Sequence, residues 1–201
     1  MDLNRLNETD IREEILAPLI RELGYRSNSR HNVLRELTLR YPLSFLGRKN
    51  QKKDQTLRGK ADYVLEVDSE IRWVIEAKAA SEPISQDDVE QAYTYAIHAE
   101  VRAVYFVLCN GREFVVFQTN RSPDSDPILH LTYDQLVSAE GQAVLVNLLS
   151  PLAILRDFPR QSVDNGVPLG PGLRTISRIS GGYIEYDTHS SIDPLLSEMN
   201  I

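Results

Sequence analysis

Gly59-Lys60-Ala61-Asp62-Tyr63-Val64-Leu65-Glu66-Val67-Asp68-Ser69-Glu70-Ile71-Arg72-Trp73-Val74-Ile75-Glu76-Ala77-Lys78 holds two apolar runs separated by three polar residues. Ala61 to Val67 and Ile71 to Ala79 are rich in the β-branched and aromatic residues that suit a pleated surface, and Asp68-Ser69-Glu70 joins them as a hairpin turn. Side chains alternate along a strand, so Val74, Glu76 and Lys78 share one face and Trp73, Ile75, Ala77 and Ala79 the other. The second is the core face by composition. Glu76 and Lys78 then form a charged pair on a central strand whose neighbour opens with Asp62.

Two carboxylates and the Ala77 carbonyl, brought together by adjacent strands, offer the oxygen ligands that a hard cation such as Mg²⁺ takes. A lysine beside them offers a fixed positive charge at an attacked phosphate, or a group that orients the attacking water. Without their surroundings the same residues read as a cross-strand ion pair on a solvated face and a turn acid.

Working outward, Ile11, Ile15, Leu19 and Leu23 recur at four-residue spacing, widened by Leu16 and Ile20, which predicts an amphipathic helix over 9–23 stopped by Gly24. Pro18 is expected to kink or break it. Glu8 and Arg12, one turn apart, project from the edge of the buried stripe. Leu34 to Phe45 suggests an extended strand interrupted near Pro42. Beyond Lys78, Ser85-x-x-Asp88 resembles a capping box, and Val89, Ala92, Tyr93 and Ala96 give the following helix a packing face through about Glu100. On that helix Gln91 and Tyr95 lie one above the other, an amide and a phenol able to bind phosphate or fix a lysine. Ala103 to Leu108 and Glu113 to Gln118 flank Asn110-Gly111, a strong hairpin signal. Ile128 to Leu131 adds a strand, and Tyr133 to Leu149 a helix or helix pair broken at Gly141. The expected order is α-β-β-β-α-β-β, then β and α.

The chain of 201 residues, 42% hydrophobic and 25% charged, is large enough for one real core plus an appendage. Residues 1–155 are expected to form the main domain. Residues 156–201 read as a tail: a Pro/Gly-rich linker over 157–174, then a small hairpin of Thr175 to Ile179 and Tyr183 to Asp187 around Gly181-Gly182. The N-terminus lacks a basic and apolar leader and no run is long enough to span a membrane, so the expectation is a cytoplasmic protein. The single cysteine, Cys109, forbids an internal disulfide and reads as a small buried hydrophobe. No Walker-type phosphate loop is present, and His31, His98, His130 and His189 lack zinc-site spacing.

A net charge of -7 argues against a surface coated for DNA, yet the charge is segregated. Between Arg26 and Lys60 ten Lys or Arg stand against Glu36 and Asp54, so this segment is +8 and the remainder -15. That is the pattern of a local phosphate-binding footprint on an acidic body, with Arg48, Lys49, Lys52, Lys53, Arg58 and Lys60 as its candidates. A solvated loop is the plainer reading of Arg48 to Gln55.

Gly59-Lys60-Ala61-Asp62-Tyr63-Val64-Leu65, then Val74-Ile75-Glu76-Ala77-Lys78, then Gln91-Ala92-Tyr93-Thr94-Tyr95 resembles the PD-(D/E)XK nuclease pattern with a trailing QxxxY motif. More narrowly, the chain is similar to the N-terminal nuclease domain of type I restriction enzyme R subunits. Asn7-Glu8-Thr9-Asp10-Ile11-Arg12, with Pro18-Leu19-Ile20 and Leu23-Gly24-Tyr25, resembles that group's opening helix, and Cys109-Asn110-Gly111-Arg112-Glu113-Phe114 its later hairpin. The likeness covers roughly 7–150. It implies an α/β fold, a restriction-endonuclease-like mixed sheet flanked by helices.

The resemblance further implies Mg²⁺- or Mn²⁺-dependent DNA endonuclease activity. Asp62 and Glu76 become metal ligands with Ala77 and the first-helix acid Glu8, Lys78 the catalytic lysine, and Gln91 with Tyr95 the auxiliary motif. Glu13 and Glu14 rival Glu8 on position and rank below it. DNA is the implied partner, with the helicase-translocase and specificity subunits of a restriction system, and a homodimer stays open. Two features depart from the pattern: Ala61 stands where a proline precedes the acid, and nothing in the chain supplies a motor. The alternatives are a catalytically silent nuclease-fold module for DNA binding or assembly, or a repair or structure-specific nuclease.

Overall fold

The computed structural model describes residues 3–41, 57–159, 161–170, 173–180 and 183–187, with side chains over 3, 5–40 and 59–159. The chain divides into two compact units, Met1–Ala153 and Ile154–Ile201.

In the first unit six strands form one mixed sheet in sequential order: β1 (His31–Tyr41), β2 (Leu57–Val67), β3 (Ile71–Ala77), β4 (Ala103–Cys109), β5 (Glu113–Gln118) and β6 (Leu129–Thr132). All neighbours are antiparallel except β3 and β4. A parallel pair needs a crossover, and the helix Gln86–Ala96 (α3) supplies it. The β2-β3 turn is tight because Asp68 and Ser69 both take positive φ, 54° and 61°, and Glu70 N–H donates to the Val67 carbonyl at 3.1 Å. Two successive left-handed residues give the turn a twist that matches the strands.

Burial of β3 extends beyond the single face that composition marked as core. Trp73, Val74, Ile75 and Ala77 are all at most 1% exposed. The reason is the parallel pairing: the crossover helix covers the Val74 face, where Val74 packs in one cluster with Val89, Ala92, Tyr95, Ala96 and Phe106. On the other face Trp73 meets Tyr25 edge-on at 5.7 Å, its indole N–H donating to the Tyr25 hydroxyl at 2.9 Å. The charges at the end of this strand therefore sit on a buried platform.

The first helix is continuous through Pro18. It runs as Glu8–Asp10 (α1), a π-helical stretch Ile11–Leu16, and Ala17–Glu22 (α2), with Asn7 and Asp10 forming a reciprocal cap. A proline cannot donate and its ring collides with the carbonyl four residues back; the wider turn ahead of Pro18, in which Ala17 N–H reaches the Arg12 carbonyl, absorbs both problems. Gly24 at φ +102° ends it.

The crossover helix begins as expected, with a reciprocal Ser85/Asp88 cap, and ends at Ala96 rather than near Glu100. The break in the later helix lies at Val137-Ser138 and not at Gly141: Tyr133–Leu136 (α4) is followed by Ala139–Leu149 (α5), whose cap Ser138 accepts from Gly141 N–H at 3.0 Å. Gly141 is there for clearance, since a Cβ would stand 1.9 Å from the Gln135 carbonyl oxygen. A further helix, Pro151–Asp157 (α6), follows.

The second unit is a three-stranded antiparallel sheet: β7 (Gln161–Gly170), β8 (Leu173–Ser180) and β9 (Tyr183–Asp187). The Pro/Gly-rich stretch read as linker is mostly β7. An edge strand with irregular register tolerates Pro168, which is why that composition did not prevent pairing. Among the described residues no helix is long and apolar enough to cross a membrane.

Candidate active site

The site is built where β2 parts from β3. Their ladder ends at Tyr63 opposite Ile75; past that point β2 pairs only with β1 and β3 only with β4. Asp62 and Glu76 are the first residues beyond the fork, and each carboxylate serves the other strand. Ala77 N–H donates to Asp62 Oδ2 at 2.8 Å, and the Asp62 amide donates to the Glu76 carboxylate. Both side chains are buried as a result, each residue 7% exposed.

Glu76 Oε2 is buried with no hydrogen-bonding partner in the described structure. A buried orphaned carboxylate oxygen is costly and calls for an explanation. Burial above all, then the charge of Asp62, pushes the Glu76 pKa up to about 8, against the opposing pull of Lys78. Glu76 thus carries a proton near neutral pH.

Lys78 leaves the end of β3 with its N–H held by the Cys109 carbonyl at 2.9 Å. Its ammonium donates to Gln91 Oε1 at 2.9 Å, lies 2.9 Å from Asp88 Oδ1 and 4.0 Å from Glu76 Oε1. Gln91 in turn donates from Nε2 to the Tyr95 hydroxyl at 2.8 Å, so the i, i+4 pair on α3 fixes the lysine. Burial opposes the Lys78 charge, but the hydrogen bond to Asp88 and the nearby carboxylates outweigh it and raise its pKa above the usual lysine value. A lysine held protonated acts as a fixed charge rather than a base. Sequence reasoning took Asp88 only for a helix cap; its Oδ2 does cap Ser85, while Oδ1 takes the lysine. His98 is turned away from this set, with Nε2 2.9 Å from the Arg40 carbonyl.

Arg12 crosses from the first helix to the fork. Its Nη1 donates to Asp62 Oδ1 at 3.1 Å and its Nη2 to Glu36 Oε1 at 3.1 Å, and Lys60 Nζ also lies 3.1 Å from Glu36 Oε1. Glu8 reaches the site through this arginine, 4.0 Å from Nη1. Glu14 instead lines a cavity of about 300 Å³ with Pro18, Leu19, Tyr133 and Gln142, and Glu13 acts electrostatically on Tyr63. Glu36 gave no signal in the sequence. Lys60, expected on a DNA footprint, is engaged by Glu36. Arg48, Lys49, Lys52 and Lys53 lie outside the described residues, and Arg58 is placed in β2 opposite Arg40 with its side chain outside those described.

Among the described residues no three acidic, histidine or cysteine side chains gather into a ready cation cage. The donor set is two carboxylates, which suits Mg²⁺ or Mn²⁺, since such ions keep several waters and take one or two protein carboxylates. The orphaned Glu76 Oε2, on a carboxylate kept protonated by burial and by the charge of Asp62, fits a cation there. Asp62 fits once Arg12 yields, because its Oδ1 is held by that guanidinium.

In a comparison with protein families, residues 7–130 match the family described as Type I restriction enzyme R protein N terminus. No curated protein and no solved structure matches the chain. The family match covers more than half of the sequence and every residue of the fork. The chain belongs to the family of type I restriction enzyme R protein N-terminal domains.

Proposed function

We propose that the chain is a divalent-metal-dependent DNA endonuclease domain of restriction type, hydrolysing phosphodiester bonds. The observation that carries this reading is the fork itself: two buried carboxylates, one with an orphaned oxygen, beside a lysine clamped by Gln91 and Asp88. Asp62, Glu76 and the Ala77 carbonyl would hold Mg²⁺ or Mn²⁺, with Glu8 acting through Arg12. A bound cation polarises the scissile phosphate and lowers the pKa of water.

Around it the chain's own groups have separate tasks. Glu76 gives up its proton when the site is loaded. Lys78 presents a fixed positive charge to the phosphate, where charge grows as the oxygen attacks. Gln91 and Asp88 keep that ammonium from wandering. The basic segment with Arg48, Lys49, Lys52, Lys53, Arg58 and Lys60 positions the duplex through its backbone without reading sequence, in a cytoplasmic setting. Sequence choice and translocation then fall to specificity and helicase-translocase subunits, and cleavage by this chain alone is weak. Plasmid nicking with Mg²⁺ or Mn²⁺ tests the reading: wild type nicks, while Asp62→Ala and Lys78→Ala are folded and inactive. Equal nicking by all three preparations rejects it.

A second reading, a catalytically silent module of the same fold, is favoured by one observation. Arg12 occupies the Asp62 oxygen that a metal would use. Calorimetry with Mg²⁺ and Mn²⁺ separates the two, because a silent module binds neither.

A further inference from the structure

Inside β1, Glu36 takes φ +53°, a left-handed conformation that side-chain-bearing residues avoid and that glycine, asparagine and aspartate tolerate best. Its neighbours keep their register, Arg35 opposite Tyr63 and Leu37 opposite Ala61, which leaves Glu36 across from Asp62 without a ladder pair. Strain of this kind persists only where surrounding contacts over-determine it, and it gathers at functional sites. Those contacts are visible: the Glu36 carboxylate meets Arg12 Nη2 and Lys60 Nζ, each at 3.1 Å. Lys60 first, then Arg12, lowers the Glu36 pKa and keeps it ionised. The guanidinium of Arg12 thus bridges two carboxylates on adjacent strands. One belongs to the fork and the other stands outside it.

We infer that Glu36 is a positioning residue that retains Arg12 when a divalent cation reaches Asp62. A planar fork with two separate arms can release Oδ1 of Asp62 from Nη1 while Nη2 stays on Glu36. In the metal-free chain Arg12 screens the Asp62 charge. With a cation present Glu36 keeps the arginine from competing for the same oxygen and leaves it beside the fork. The place of Glu36 across from Asp62 in the β1-β2 register sets its carboxylate on the Asp62 side of the sheet. This inference rests on the metal-dependent reading of the fork.

The test is Mn²⁺ calorimetry on the full chain in a double-mutant cycle with Glu36→Asn and Arg12→Gln. Asparagine accepts positive φ, so Glu36→Asn keeps the metal-free Tm at or above the wild-type value while removing the anchor. Its Mn²⁺ affinity should fall about fivefold, the scale of a part-exposed ion pair. Arg12→Gln should bind Mn²⁺ more tightly than wild type. In the Arg12→Gln background the Glu36 substitution should have no further effect. The same loss in both backgrounds would mean that Glu36 acts by through-space charge alone, and the inference fails. Unchanged affinity in Glu36→Asn also overturns it, with wild-type Mn²⁺ binding and nicking intact, so the nuclease reading would survive. A wild-type chain that binds no Mn²⁺ sinks both. If Glu36→Asn does not fold, Glu36→Gln, equal in shape and uncharged, takes its place in the cycle.

Discussion

Lys78 Nζ donates to Gln91 Oε1 at 2.9 Å, so the lysine at the end of β3 is held by the helix that follows it. The contact joins a strand and a helix thirteen residues apart, and it exists because the Ser85/Asp88 cap starts α3 immediately after the crossover loop. Gln91→Ala removes the anchor and leaves Asp62 and Glu76 alone. We expect nicking to fall about tenfold, the lower end of what losing a ligand-orienting partner costs, with Mn²⁺ affinity unchanged. Tyr95→Phe, which deletes only the hydroxyl that Gln91 Nε2 uses, should cost less. Initial nicking rates at saturating metal measure both. A Gln91→Ala rate equal to wild type would remove the helix from the site.

The pKa of Glu76 near 8 sets the pH behaviour of the fork. A cation must displace that proton, so Mn²⁺ affinity should rise between pH 6 and pH 8, level off above, and release up to one proton on binding. Calorimetry in buffers of different ionisation heat counts the proton. Glu76→Gln should bind weakly at every pH and release none.

The same group gives the metal-free protein a slope of the opposite sense. Its folded pKa lies above the usual glutamate value of 4.5, so the folded chain binds more protons than the unfolded chain between about 4.5 and about 8. Stability is therefore greatest below that window and falls as pH rises through it, by a few kcal/mol at most. Urea unfolding from pH 5 to pH 8 should show the loss, and Glu76→Gln should flatten it. Saturating Mn²⁺ should also flatten it, because the loaded fork and the unfolded chain would both hold Glu76 deprotonated across this range.

Much of this architecture follows from local signals. The Asp68-Ser69 turn, the Asn110-Gly111 hairpin and the Ser85 cap are short-range chemistry, and each lies where its residues demand. The spacing of Gln91 and Tyr95 likewise puts both on the helix face that meets Lys78. What the sequence hides is set by distant partners. Burial of both β3 faces depends on the crossover helix and on Tyr25, and the need for glycine at position 141 on a carbonyl from α4. Arg12 is hinted at by its spacing from Glu8, but its bond to Asp62 spans fifty residues. Glu36 is hidden for a further reason: no glutamate announces a positive φ.

Gly111, at φ +80°, is the place where the β4-β5 hairpin meets the first helix, and a Cβ there would stand 2.3 Å from Ile11 Cδ1. Ile11 is fully buried and can shift only by disturbing its neighbours. Gly111→Ala therefore combines backbone strain with overpacking and should cost about 1–3 kcal/mol. Thermal denaturation measures it. Preserved stability would mean that the helix sits further from the hairpin.

The last expectation concerns DNA. If the acidic chain binds DNA as proposed, through its +8 segment, then Arg48, Lys49, Lys52 and Lys53 are the candidates to test first. Each phosphate neutralised by a cationic side chain releases condensed counterions and contributes about 0.9 to the slope of log affinity against log salt. Replacing the four residues by glutamine should then flatten that slope by about three to four and weaken binding uniformly across DNA sequences, because backbone contacts carry no sequence information. Metal binding at Asp62 and Glu76 should be untouched, which separates loss of the footprint from loss of the fold. Fluorescence anisotropy on a labelled duplex from 50 to about 200 mM salt reads the slope directly. An unchanged slope assigns the phosphate contacts to other cations and takes this loop out of the interface.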